Sequence, residues 1–380
     1  MTRMTLGNAQ VLLPNEVVQG HLKVEDGWII GIEAGGELPT GAIDLEGDFL
    51  MPGLVDLHSD HLEKHIMPRP GVYWPAVSAA VSYDAQVISS GITTMFDSFG
   101  LVGEEFDSDR NASLGRMLQG MEEAANEGLL RADHFIHLRC EIIEPDIVPR
   151  FAALQELPRL KLVSLMDHTP GQRTFPDERK WKVHQKRRTG ASDAALDAIL
   201  AARQEARDQY ATINRRAIAE ICRETGIVVA SHDDTTLDHV LEADELGNTI
   251  SEFPTTHLAA AEARKRDIRV VMGAPNLVRG GSHIGNLSAG ECARSGLLNI
   301  LASDYVPASL LHAAFLLTGE TVGWSLPRAI ATVTASPAAC VGLDDRGEIS
   351  AGKRADLVRV RVHNDLPVIR SVWRAGRIVY

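Results

Sequence analysis

A chain of 380 residues, 44% hydrophobic and 23% charged, has enough apolar material for one large catalytic barrel and a smaller companion. Its formal net charge of -13 disfavours nucleic acid and anionic membranes as partners, so an anionic ligand would need a local basic cluster. No run approaches the ~18 apolar residues of a membrane span, and the amino terminus shows no targeting pattern, so a cytoplasmic protein without a membrane partner is expected.

In chain order, residues 4–50 show short β-like stretches at 9–13, 21–24, 28–32 and 41–45, divided by Gly, Pro and acidic turns. Apolar runs then alternate with helical segments, the pattern of βα units round a parallel sheet. Eight candidate strands follow, at 54–58, 93–97, 134–142, 160–167, 227–231, 249–253, 269–274 and 298–303. Between them Leu114, Met117, Leu118 and Met121 repeat at helical spacing, and Ser192 can cap a long helix that Gly226 ends. The β style returns at 355–362 and 368–379, punctuated by Asn364-Asp365 and Ala375-Gly376. The expected fold is α/β: a (β/α)8 TIM-like barrel over 51–344, with a small β-sandwich built jointly from 1–50 and 345–380. Cys140, Cys222, Cys292 and Cys340 are dispersed, form no CxxC pair, and read as reduced and mostly buried thiols.

The chemistry gathers where the barrel strands exit. Alternation places Asp56, His58 and Asp60 on one face of the first strand, with Val55, Leu57 and Ser59 packing outward. It likewise groups His137, Arg139 and Glu141 on the third, with Ile136, Leu138 and Cys140 towards the helices. His168, His232 and Asp304 each follow an apolar run. Singly, such residues are more often turn formers or helix caps; together, at the end of the barrel where active sites form, they suggest one convergent site. Imidazole nitrogen and carboxylate oxygen suit borderline divalent ions such as Zn2+, and a carboxylate can bridge two of them. The expected ligands are His58, Asp60, Glu141, His168, His232 and Asp304, with Glu141 as the bridge and Asp304 also accepting the nucleophile's proton. Two dications would balance Asp60, Glu141, Asp304 and one hydroxide.

This constellation resembles that of the amidohydrolase superfamily, with Met51-Pro52-Gly53-Leu54-Val55-Asp56 as its entry into strand one. The exit, from Ser336-Pro337-Ala338-Ala339 to Gly352-Lys353-Arg354-Ala355-Asp356-Leu357, is similar too, so the likeness spans essentially the whole chain. It implies a metal-dependent hydrolase with two divalent ions, Zn2+ or else Mn2+ or Fe2+. Most members carry His-x-His on strand one; here the second position is Asp60, and adjacent His61 is an alternative ligand.

Further segments, His61-Leu62-Glu63-Lys64-His65, Ser164 to Gln172 and Gly273 to His283, are similar to the branch serving the carbon-phosphorus lyase route of phosphonate use. That likeness implies a phosphorylated sugar as substrate: a ribose 1-methylphosphonate 5-triphosphate hydrolysed to the 5-phosphate and pyrophosphate. It also leads us to expect a homo-oligomer with a functional link to other enzymes of that route.

Seven cations, Arg173, Arg179, Lys180, Lys182, Lys186, Arg187 and Arg188, follow His168 on what reads as a loop over the catalytic face. Lys182 is the expected substrate contact from this run, most of which reads as solvated or as facing an acidic neighbouring subunit. Arg279, Ser282 and His283, beside a Gly-rich turn after the seventh strand, are expected to meet phosphate oxygens. Two rivals stand beside this reading. The same chemistry could open a cyclic amide or deaminate a heterocycle, or the barrel could have lost catalysis and serve in assembly.

Overall fold

The structure, a computed structural model, describes residues 2–103, 108–282 and 285–380. The amino-terminal part supplies β1 (Arg3–Leu12), β2 (Val17–Glu25), β3 (Trp28–Ala34), β4 (Ile43–Asp44) and β5 (Phe49–Pro52). The central part supplies β6 (Leu54–Ser59), β7 (Ile92–Leu101), β8 (Asp133–Glu141), β9 (Leu160–Met166), β10 (Val228–His232), β11 (Ile250–Glu252), β12 (Arg269–Gly273) and β13 (Ile300–Ala302). The carboxyl-terminal part adds β14 (Leu357–His363), β15 (Leu366–Arg374) and β16 (Arg377–Ile378).

The strands sort into two sheets. The end segments form one mixed sheet in the order β16-β15-β14-β5-β1-β2-β3, with β4 paired to β1. The seam between the chain's two ends is β5 against β14, antiparallel, with Phe49 opposite Val360 and Pro52 opposite Leu357. Asp26-Gly27, Asn364-Asp365 and Ala375-Gly376 each hold two successive positive φ angles, the geometry of tight hairpin turns that match strand twist. Leu6, Val11, Leu22, Leu50, Leu357 and Trp373 fill this sheet's own core.

The other sheet runs in sequential order from β6 to β13, all parallel. It is nearly closed, since Ser59 bridges Asp304. Val55, Leu57, Phe96, Leu162, Ala230, Ile250, Val271 and Ile300 fill its interior, while a larger cluster packs the outside against the helices. Leu114, Met117 and Met121 are buried there on the helix Ser108–Asn126. The Ser192 side chain accepts from the Ala195 N–H, and Gly226 ends the run at φ 70°. A π-turn at Arg207–Ala211 interrupts the helix between them.

One expectation about β6 is wrong. Val55 and Leu57 point into the barrel, not outward. The ladder against β7 slips twice, between Leu54 and Val55 and again between Asp56 and Ser59. The second slip sets three steps of β6 against two of β7, so alternation breaks and His58 turns inward directly after Leu57. On β8, by contrast, Leu138 and Cys140 lie in the outer core as alternation requires.

Behind β7 and β8 a buried ion network ties the barrel to the helix Ala76–Ser89. His134 Nδ1 lies 2.9 Å from Asp97 Oδ2 and its Nε2 3.2 Å from Asp84 Oδ1. Burial alone would lower the pKa of His134, but Asp97 and Asp84 outweigh it and hold it up at about 9. A histidine raised from 6.5 contributes stability that is whole below pH 6.5 and lost as pH rises through about 9. Thermal denaturation of wild type and His134→Gln should therefore show a Tm gap that narrows steadily between these two pH values. A gap independent of pH would show that His134 is not charged in the fold.

Candidate functional site

The polar strand exits converge at the barrel mouth. The bulge in β6 brings the His58 ring to 5.2 Å from that of His137 on β8 and stacks it 6.3 Å from that of His232 on β10. Between His58 and His232 stands Glu252, the last residue of β11 and only 2% exposed. Its Oε1 lies 2.6 Å from His58 Nδ1, its Oε2 lies 2.7 Å from His232 Nδ1, and Oε2 also accepts from Ser164 Oγ at 2.8 Å. Burial would raise this carboxyl, but His58, His137 and the hydrogen bonds from both neighbouring rings hold it well below the usual carboxylate range. With Nδ1 engaged, each ring keeps Nε2 as its remaining donor atom.

Two groups of side chains could hold a metal ion, each with its ligand atoms within 4.8 Å of one another: His58, His137 and Glu252, and His168, His232 and Asp233. The first is knit by its own hydrogen bonds. His137 meets the Leu57 carbonyl at 2.9 Å through Nδ1 and Ser164 Oγ at 2.6 Å through Nε2. Burial is the largest influence on its pKa and pushes it down to about 3. The second group is more open. Glu141 accepts from the His168 backbone N–H at 3.0 Å and meets its ring Nδ1 at 2.5 Å, leaving Nε2 on a side chain 33% exposed. The rings of His168 and His232 lie 5.7 Å apart, and His232 Nε2 is 3.5 Å from Asp233 Oδ2.

Asp304 completes the mouth at the seam between β13 and β6. Its N–H donates to the His58 carbonyl at 2.9 Å and its own carbonyl accepts from the Asp60 N–H at 3.1 Å. Among the described residues no hydrogen bond engages its side chain, and burial, the largest influence, raises its pKa. His61 meets the Tyr305 carbonyl at the seam through Nδ1 at 2.9 Å and Gln86 Oε1 on the helix Ala76–Ser89 through Nε2 at 3.1 Å, so both its nitrogens are engaged. His58, Asp60 and Asp304 thus meet on one side of the mouth and Glu141 with His168 on another, with His232 between.

A cavity of about 330 Å³ opens over these residues, lined by Asp233, Phe253, Arg279, Ser282, Asp304 and Tyr305 among others. His283 lies outside the described residues. The basic segment is not a loop but a helix, Glu178–Thr189, capped by the Asp177 side chain and ended by Gly190. Arg173 is buried and structural, donating to the His232 carbonyl at 2.6 Å and to Asp234 at 3.0 Å. Lys182 pairs with Asp197 and Lys186 with Asp193 on the following helix. Arg179, Lys180 and Arg187 instead line a second cavity of about 580 Å³, which shares Thr174, Phe175, His184 and Asn286 with the first.

Sequence reasoning missed Glu252, Asp233 and the role of His137. Glu252 did lie within a predicted strand, at its carboxyl end, where a polar residue after Ile250-Ser251 was the available signal. As a donor set, several imidazoles and carboxylates at one mouth fit a borderline divalent ion, and no thiolate is among them.

A model of the amidohydrolase family matches residues 279–380. Over 99% of its length the chain is 44% identical to the alpha-D-ribose 1-methylphosphonate 5-triphosphate diphosphatase of Escherichia coli (strain K12), covering all of that protein. The chain belongs to this diphosphatase's family, among the amidohydrolases. It is a hydrolase of that group, and the fold agrees. This amidohydrolase is similar to 5-methylcytosine deaminase from Klebsiella pneumoniae, with TM-score 0.66, 16% identity and 99% and 98% of the two chains covered. It is also similar to N-acetylglucosamine-6-phosphate deacetylase from Pasteurella multocida, with TM-score 0.64, 14% identity and full coverage of both. Among the described residues no helix is long and apolar enough to cross a membrane.

Replacing Glu252 by Gln keeps the shape but removes the charge that two buried imidazoles face. Removing such an orienting carboxylate typically weakens metal affinity roughly ten- to hundredfold. Titration of the apoprotein with Zn2+ should show this weakening, and an unchanged affinity would remove Glu252 from the site.

Proposed function

We propose that this amidohydrolase hydrolyses α-D-ribose 1-methylphosphonate 5-triphosphate to the 5-phosphate and pyrophosphate, using two divalent ions at the barrel mouth. The observation that carries the reading is the 44% identity along the whole length of a diphosphatase named for that substrate. The convergent donors and the cationic cleft beside them are what such a substrate requires.

The ligand set read from the strand exits is His58, Asp60, Glu141, His168, His232 and Asp304. Asp233 joins it, because its carboxylate lies with the His168 and His232 donors. Glu252 stands behind His58 and His232 and fixes which nitrogen each presents. When bound, ions such as Zn2+ acidify water for attack on phosphorus and offset charge on phosphoryl oxygens. Asp304, unbonded and facing the cavity, takes the proton released on attack. Arg279, Ser282 and His283 contact phosphoryl oxygens. Arg179, Lys180 and Arg187 form a basic wall for the rest of the anion, on the same helix as Lys182. We divide the chain into a catalytic unit, 51–344, and a small sandwich from 1–50 plus 345–380, folded round its own core.

Hydrolysis of a cyclic amide or deamination of a heterocycle would leave that basic wall without purpose. Incubation with the ribose triphosphate should release pyrophosphate, while hydantoins, dihydroorotate and aminopurines stay intact; the opposite pattern would replace this reading with its rival. Asp304→Asn should keep Tm and most bound metal but lose turnover by about a hundredfold or more. An undiminished rate would reject its role as base. Arg187→Ala should raise KM about tenfold, against a change under about twofold for Lys186→Ala, which loses only its bond to Asp193.

A further inference from the structure

Four arginines among the described residues are buried: Arg139, Arg173, Arg215 and Arg346. Three are paired. Arg173 holds the His232 carbonyl and Asp234, Arg215 holds Glu242 at 2.6 Å, and Arg346 holds Asp133, Asp345 and Thr94. Arg139, 8% exposed, has no hydrogen bond or ion pair to any described residue, and its Nε is sealed from solvent without an acceptor. A guanidinium cannot shed its proton to escape this situation. A buried charge left unpaired is costly, so a fold that retains one has a partner for it that the described residues do not supply.

The position of Arg139 says where that partner goes. It stands on β8 between His137 and Glu141, and alternation sends all three into the barrel mouth. Its register neighbours are Gly100 on β7, which has no side chain, and Ser164 on β9, whose hydroxyl is already bonded to Glu252 and His137. The nearby carboxylates do not take it either: Glu141 is engaged by His168, and Glu252 by His58, His232 and Ser164. Its charge is nonetheless felt at His232 and at Asp304, on both sides of the mouth.

We infer that Arg139 is a further catalytic residue, whose guanidinium fork takes phosphoryl oxygens of the substrate at the point of cleavage. This rests on the diphosphatase reading above. Water oxygen bonds to phosphorus, the bond from that phosphorus to the bridging oxygen breaks, and the electron pair leaves on pyrophosphate. Arg139 exchanges no proton; it holds charge that grows on the phosphoryl oxygens, where a planar two-point donor fits better than an ammonium.

The test compares Arg139→Ala and Arg139→Lys with wild type, all loaded with Zn2+. Arg139→Ala should keep bound metal and lose kcat by about a hundredfold or more, the usual effect of removing one donor to transition-state charge. Added guanidinium ion at sub-denaturing concentration should restore part of that loss saturably, and Arg139→Lys should stay impaired by about tenfold or more. Calorimetric titration with inorganic pyrophosphate should show at least about tenfold weaker binding to Arg139→Ala. Wild-type kcat in Arg139→Lys with misfolded Arg139→Ala would mean that the charge serves only the fold and would overturn the inference, as would undiminished pyrophosphate binding. If wild type fails to cleave the ribose triphosphate, the diphosphatase reading falls by itself, and pyrophosphate binding still decides on Arg139.

Discussion

The barrel mouth is organised around the cost of burying one carboxylate. Glu252 is charged in an interior that would otherwise neutralise it, and such a group is tolerated only when donors surround it. They come from three other strands: His58 on β6, Ser164 on β9 and His232 on β10. Satisfying the charge and aiming the imidazoles are therefore one event, because the bonds that stabilise Glu252 also choose the nitrogen each ring presents to the cleft. His137 contributes from behind, braced against Ser164 and the Leu57 carbonyl. The Glu252 carboxylate is thus answered within the barrel, by side chains of three other strands.

That arrangement explains what could be read from the amino acids and what could not. The eight barrel strands were legible, since each is a short apolar run between helical segments, and all eight appear with ends shifted by a few residues. So was the place of His168, His232 and Asp304 at strand exits, because position after an apolar run does not depend on side-chain direction. The direction itself was illegible on β6. Strict alternation puts His58 opposite Leu57, and only the slip in the ladder against β7 lets both face inward. A bulge is a property of two paired strands, so neither strand announces it alone. Glu252 was hidden for a related reason: Ile250–Glu252 is too short to display a period, and the partner that gives the carboxylate meaning, His58, is 194 residues away.

The basic helix shows the same limit in electrostatic form. Its charge was plain, but which cations reach the cleft depends on the helix that follows. Asp193 and Asp197 hold Lys186 and Lys182, Arg188 donates to Gln185, and the cations at the cleft are the other three, Arg179, Lys180 and Arg187. A net charge of -13 then becomes compatible with an anionic substrate. The excess acid is distributed over the rest of the chain, while the cavity beside the donors carries a local surplus of base.

The seam between β13 and β6 is where fold and chemistry cannot be separated. Asp304 sits at φ 56°, a left-handed conformation that non-glycine residues adopt at a cost, and it is held there from both sides by the His58 carbonyl and the Asp60 N–H. Asp56 adds to the clamp, accepting from the backbone N–H groups of His58 and Ser303. His61 adds another tie through the Tyr305 carbonyl. These contacts close the barrel, and they leave the Asp304 carboxylate facing the cavity with its hydrogen-bonding capacity unused. A carboxylate left unbonded while the backbone around it is bound so fully is free to receive a proton without any rearrangement of the strands that carry it.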